Sequence, residues 1–251
     1  MLPIDAAAHS SRWRRRHPVD KAVLGLGLTV LAISLPPWPG AALVLGTALA
    51  VLLGPAGVPA RRLWRAYRVP LGFCVTGAVT LLFQVGGPDA FVSLADGGPA
   101  RAGGLLLRTS AASLGVLLFA FTTPMSDLLP RLGRAGVPAP VVDVALMTYR
   151  TGFLLLDSVR RVREAQAARL GHTTRSAQWR SAAGLGAIAF AFVRAFDRAA
   201  RLQAGLAGRG YEGTLHVLVP EARISPRFTA ASLLLLAAVT AATLGLESPL
   251  S

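Results

Sequence analysis

No charged residue occurs between Lys21 and Arg61, a stretch about twice the ~20 residues that one helix needs to cross a bilayer. Two membrane spans fit this run with a turn between them. Pro36, Pro37, Pro39 and Gly40 mark the turn, because proline removes a backbone donor and restricts the residue before it, while Trp38 suits a membrane–water interface. The first span, Ala22 to Leu35, is short and draws on flanking residues. Three further uncharged runs, Val69 to Pro88, Thr109 to Ser126 and Phe228 to Leu246, predict a third, fourth and fifth span. Arg108 lies at the start of the fourth and is expected to snorkel outward or to face other helices.

Composition agrees with a membrane protein. Of 251 residues, 53% are hydrophobic and only 15% charged, and the mean hydropathy is positive, outside the usual soluble range. A basic start, Arg12 to Lys21, ahead of an apolar stretch resembles a secretory signal, yet no small-residue cleavage site closes it before Pro36. It reads as a retained first span. Cys74, the single cysteine, falls in an apolar run and excludes an internal disulfide or a multi-cysteine metal site.

The net charge of +14 raises a nucleic-acid binder as an alternative. Five spans, however, place 24 of the 26 basic residues on one side and leave only Arg101 and Arg108 opposite. The positive-inside rule makes the arginine-rich side cytoplasmic, with the N-terminus there too. Topology thus accounts for the arginines without nucleic acid. The expected organisation is a basic cytoplasmic N-terminus (1–21), a membrane domain of four spans (22–124), a cytoplasmic helical domain (125–227), and a last span with a short tail (228–251).

The segment from Met125 to Arg227 is too long for an ordinary loop and too periodic for a disordered one. Val142, Leu146, Tyr149, Phe153 and Leu156 recur at spacings of four and three, one face of an amphipathic helix, with Pro138 and Pro140 just before it. This helix is expected to end near Gly171. A second runs from about Ser181 to Gly208, and Asp157–Arg161 and Asp197–Arg201 are acid-first pairs four apart. The uncharged interval Ser181 to Val193 is too short for a span; as a sixth span it would carry Arg194 to Arg209 outside, against the charge rule.

Each helix finishes with an arginine in small surroundings, Ala167-Ala168-Arg169-Leu170-Gly171 and Ala207-Gly208-Arg209-Gly210-Tyr211. One such arginine is explained as a partner for the helix dipole. Two in one segment ask for more, and a planar five-donor fork beside little bulk suits insertion into a partner's groove.

These features resemble the transmembrane T component of energy-coupling-factor transporters, in its cobalt-type branch. The resemblance runs from Arg16-His17-Pro18-Val19-Asp20-Lys21 through Thr123-Pro124-Met125-Ser126-Asp127-Leu128 to Phe196-Asp197-Arg198-Ala199 and Ala207-Gly208-Arg209-Gly210-Tyr211-Glu212-Gly213. It implies an all-α polytopic membrane protein of the bacterial cytoplasmic membrane, with about five transmembrane helices and a cytoplasmic bundle of coupling helices. It also implies that two Ala-Arg-Gly-like motifs dock on two cytoplasmic ATPase subunits: Ala168, Arg169 and Leu170, then Gly208, Arg209 and Gly210. Leu170 and Gly208 depart from the usual small residue and alanine at their positions.

The resemblance further implies a non-catalytic transducer that moves a membrane-embedded substrate-binding subunit, for cobalt or nickel, with a vitamin importer as the alternative. The residues agree that the chain carries neither nucleotide nor cofactor. A P-loop needs a Gly-Lys-Ser/Thr ending, and the only lysine, Lys21, follows Asp20 at the mouth of a span. His9, His17, His172 and His216 are scattered and never spaced as paired metal ligands. A membrane enzyme using Asp127, Asp143, Asp157 or Glu212 lacks any accompanying metal or nucleophile motif, and a surface ion pair is the ordinary reading of Asp143 and Asp157. A scaffold on acidic lipid, through Arg12 to Arg16 and Arg61 to Arg68, explains the charge but not the two arginine-ended helices.

Overall fold

A computed structural model of the chain describes residues 7–9, 11–14, 16–85, 92–94, 97–168, 182–211 and 224–247. The protein is an all-α polytopic membrane protein; three helices, Gly98–Thr122, Ala139–Arg161 and Pro226–Leu246, are long and apolar enough to cross a bilayer, and Pro37–Leu53 forms a shorter apolar stretch. The chain divides into two compact units, residues 1–128 with 220–251, and residues 129–219.

In the first unit, helix α1 (Pro18–Ser34) starts where His17 Nδ1 accepts the Val19 N–H at 3.2 Å, with Pro18 at its first position. Such a cap satisfies one of the donors a helix start leaves unpaired. Leu24, Leu28 and Ala32, four apart, are buried on one face. The chain turns through Pro36–Ala41, where Trp38 is extended and exposed and the Trp38–Pro39 peptide is cis. Helix α2 (Ala42–Leu53) follows and buries Val44, Ala48 and Leu52 at the same spacing.

Helix α3 (Ala60–Thr80) begins well before the uncharged run Val69 to Pro88 and stops short of its end. Its first half carries Arg61, Arg62, Arg65 and Arg68 on exposed positions, while Leu63, Cys74 and Ala78 face inward. A helix whose charged side chains reach outward needs no uncharged sequence to begin. After Thr80 the chain enters a short antiparallel ladder, β1 (Phe83–Val85) with β2 (Val92–Leu94), in register Phe83 to Leu94.

Helix α4 (Gly98–Thr122) is central and packs against α1, α2 and α3. Its contact with α1 is close because glycine faces glycine. A Cβ on Gly115 would sit 2.5 Å from Thr29 Oγ1 and 2.9 Å from the Gly25 carbonyl oxygen. Small residues let helices approach in this way where lipid supplies no hydrophobic drive between them. Helix α8 (Pro226–Glu247) closes the unit against α1 and buries Ser232, Val239 and Thr243. The core is the apolar cluster of Leu24, Leu28, Val44, Leu52, Leu114, Leu118 and Phe121.

Helix α5 (Met125–Arg134) leads out of the first unit. In the second unit, α6 (Ala139–Ala168) packs on α7 (Ala182–Ala207). Edge-on ring pairs, Tyr149–Phe153 and Phe192–Phe196, follow the four-residue spacing along each. Asp157 and Arg161 form the expected ion pair at 2.8 Å, both exposed. A pair of this kind on a wet surface is worth only a few tenths of a kcal/mol, ~0.3 to 0.5.

Candidate functional site

The second arginine motif is built by the way α7 ends. Gly210 has φ +72°, in the left-handed region. The Gly210 N–H donates to the Ala207 carbonyl at 3.2 Å, and the Tyr211 N–H donates to Leu206 at 3.1 Å. Those two bonds around a left-handed glycine form a Schellman cap, which satisfies carbonyls the helix would otherwise leave open. Arg209 is therefore the cap residue itself, exposed, with its backbone fixed by bonds on both sides. The glycine after it is demanded by backbone geometry, because nothing lies within 4 Å of its missing Cβ. Gly208 is different: a Cβ there would make only an ordinary contact, 3.5 Å from the Ala204 carbonyl oxygen. The departure from alanine at Gly208 thus carries no steric requirement.

Tyr211 ties the cap to α6. Its hydroxyl donates to Asp143 Oδ2 across 3.4 Å, and Asp143 is buried rather than at the surface position expected of it. Partial desolvation, and then the adjacent Asp143 carboxylate, hold the Tyr211 phenol above its ordinary value. The hydroxyl accordingly stays protonated at neutral pH and remains a donor.

A groove of about 640 Å³ runs between α6 and α7, with mainly apolar walls that include Val144, Met147, Leu155, Ala199 and Leu202. It ends at Leu206, Ala207 and Tyr211, the residues that flank Arg209 in the chain. An apolar groove close in the chain to an exposed guanidinium can bury a partner's apolar side chains while the fork pairs with carboxylates or carbonyls.

Of the first motif, Ala168 is the last residue of α6 and is exposed, whereas Arg169 and Leu170 lie outside the described residues, as does the expected helix end at Gly171. Among the described residues no three His, Cys, Asp or Glu side chains gather into a metal-binding group. The free Cys74 thiol is buried.

Three ionisable residues of the first unit have partners inside the protein. Arg108 lies inside α4 and faces another helix, one of its two expected placements: its Nη2 donates to the Leu35 carbonyl at the end of α1 at 2.8 Å. A cation with an internal acceptor has no need to snorkel, and the helix continues past it. Asp20 and Lys21 stand at the mouth of the first span, as the sequence suggests, and both are buried, at 0% and 2% exposure. Lys21 Nζ donates to the Thr122 carbonyl at 2.7 Å, and Asp20 Oδ2 accepts the Ser225 N–H at 3.1 Å. Helix α1 consequently starts at Pro18 rather than Ala22, since these charges are paired inside the protein.

Comparison with known proteins agrees with a membrane transport role. The family described as "CbiQ: Cobalt transport protein" matches residues 10–219. A cobalt transport protein CbiQ of Rhodobacter capsulatus is 45% identical over 240 residues, covering 95% of this chain and 96% of its own length. One of the same description from Salmonella typhimurium is 28% identical over 233 residues, covering 86% and 100%. A putative fused cobalt transport protein CbiMQ of Methanocorpusculum labreanum is 23% identical over 181 residues, 68% of this chain but 30% of that longer protein.

Proposed function

This chain belongs to the CbiQ cobalt transport protein family, and from that premise we propose that it is the energy-coupling membrane subunit of a cobalt importer. In this reading, ATP binding and hydrolysis in two cytoplasmic ATPase subunits displace α6 and α7. The membrane helices then pass that motion to a membrane-embedded subunit that binds the ion. Arg209 and Arg169 are the docking arginines, one for each ATPase. The chain lies in the bacterial cytoplasmic membrane with its N-terminus and the 129–219 unit on the cytoplasmic side, which keeps the basic residues inside.

The observation that carries the docking role is the Schellman cap at Gly210. It fixes the backbone at Arg209 beside residues that line the apolar groove, so less order has to be gained on docking. The fused relative named CbiMQ supports a second membrane component working beside this chain. Helix α6 carries Asp143, Arg150, Asp157, Arg160 and Arg161 within its apolar stretch Ala139–Arg161, and five charges favour a cytoplasmic position over a span.

Co-purification from membranes containing the neighbouring transport subunits tests this, with wild type beside Arg209→Glu. The wild type brings down the ATPase subunits. The charge reversal should remove or halve that recovery while the variant still inserts, because no span is touched. Equal ATPase recovery and equal cobalt uptake by the two proteins would refute the docking role of Arg209.

A further inference from the structure

Coupling through α6 and α7 leaves unused the only lysine in the chain, Lys21, and its neighbour Asp20. Both are buried in the first unit, and burial of a charge is unfavourable unless the geometry it fixes is needed. Being consecutive on the first turn of α1, they point in different directions. Lys21 reaches the last residue of α4, with Nζ 2.7 Å from the Thr122 carbonyl oxygen. Asp20 reaches the residue before α8, with Oδ2 3.1 Å from the Ser225 nitrogen. The N-terminal arm closes over the same place. Trp13 stands edge-on to Phe228, with ring centroids 5.1 Å apart, and the Arg16 guanidinium lies 4.5 Å from the centre of that ring. A long contact of 3.5 Å from Lys21 Nζ to the Arg14 carbonyl oxygen joins the arm to the lysine.

The two clamped positions bracket one excursion of the chain, which leaves this unit after Leu128 and rejoins it at Pro220. Thr122 lies just before the departure and Ser225 just after the return. The start of α1 therefore holds both ends of the connection to the 129–219 unit. The clamp is not the arrangement that folding stability alone would favour: Asp20 Oδ1 is buried without a hydrogen-bond partner, and an apolar pair of similar volume would avoid that loss.

Resting on the coupling reading above, we propose that Asp20 and Lys21 are positioning residues of the transport cycle. They fasten the end of α4 and the start of α8 to α1, so that displacement arriving along either connection moves the three helices as one body. Without the clamp, the connections near Thr122 and Ser225 yield first, and ATP is spent without moving the ion-binding subunit.

The complete transporter, reconstituted in liposomes with its ATPase and substrate-binding subunits, tests this by three readings on each variant: subunit recovery, ATP hydrolysis, and Co2+ moved per ATP. Lys21→Met keeps the length of the stem and removes the donor. The assembled Lys21→Met complex should hydrolyse ATP at the wild-type rate and move about tenfold less Co2+ per ATP, the scale on which one charge-assisted bond acts. Lys21→Arg, which restores a cationic donor, should recover part of the loss. An unchanged Co2+ to ATP ratio in assembled Lys21→Met overturns the proposal. If that variant does not accumulate in the membrane, the isosteric Asp20→Asn decides by the same ratio: a fall supports the clamp and an unchanged value overturns it. A wild-type complex without ATP-dependent uptake refutes the coupling reading itself, and this shows before any variant is compared.

Discussion

The two glycines around Arg209 provide a sharp separation between backbone geometry and steric access. Gly208→Ala adds a methyl group just past the end of α7, where the new Cβ meets the Ala204 carbonyl oxygen at an ordinary 3.5 Å and no positive φ opposes a side chain. Gly210→Ala adds the same methyl group into open space, but at φ +72°, where an L-residue costs roughly 1–2 kcal/mol. If docking uses Arg209 as the Schellman cap holds it, that cost is charged against binding. A difference of 1.4 kcal/mol is tenfold in a binding constant, so Gly210→Ala should weaken the association by roughly 5- to 30-fold. Gly208→Ala should bind as wild type. Titration of the detergent-solubilised protein with fluorescently labelled ATPase subunit measures both. Gly210→Asn supplies the control, because asparagine tolerates the left-handed conformation better than alanine and should bind between Gly210→Ala and wild type. Equal losses for Gly208→Ala and Gly210→Ala, or no recovery with asparagine, would refute the preorganised cap as the source of affinity.

Two further outcomes follow from the geometry of each unit. Gly115→Ala should lower the thermal stability of the solubilised protein by about 1–3 kcal/mol, the usual cost of overpacking, since its Cβ would sit 2.9 Å from the Gly25 carbonyl oxygen. Gly103→Ala on the same helix has nothing within 4 Å and should not lower it; matching shifts would show that α1 and α4 do not meet closely. The Tyr211 phenol is raised above its ordinary 10.0, so the stability it contributes is fully present below about pH 10 and is lost as the pH rises through the higher folded value. The stability difference between wild type and Tyr211→Phe should therefore be flat from neutral pH to about pH 9 and shrink beyond about pH 10; a change between pH 6 and 8 would point to another group.

The all-α class and the membrane location are legible in the sequence because hydrocarbon demands long stretches without charge, and such stretches survive any detail of packing. Helix limits are less legible. The third uncharged run begins at Val69, in the middle of α3, although Arg61, Arg62, Arg65 and Arg68 belong to the same helix as Cys74 and Ala78. The fourth begins after Arg108, which lies well inside α4. The second arginine motif is legible as Gly-Arg-Gly, but its reason is only half visible. Small neighbours suggest access for the guanidinium, whereas the structure shows that Gly210 is required by a positive φ and Gly208 is not. Asp143 is illegible for a different cause: its partner Tyr211 is 68 positions away, and no local spacing announces it.

Three charged residues of the first unit, the buried Asp20 and Lys21 and the half-buried Arg108, share a logic that the sequence hides. Lys21 meets the carbonyl end of α4, Arg108 meets the carbonyl end of α1, and Asp20 meets the amide at the start of α8. Cations thus stand at helix C-termini and the anion at an N-terminus, the pairing that the helix dipole favours and that satisfies groups a helix end leaves open. Water performs this service for a soluble helix bundle; near a bilayer the protein must supply it. The partners are backbone atoms, which every residue carries, so nothing in the sequence distinguishes Leu35 or Thr122 as an acceptor 73 or 101 positions away. A charge beside an apolar run therefore reads as a boundary, while in the folded chain it joins the ends of two helices. That is why Asp20 and Lys21, which look like the exposed edge of a span, are buried at the first turn of α1 against the end of α4 and the start of α8.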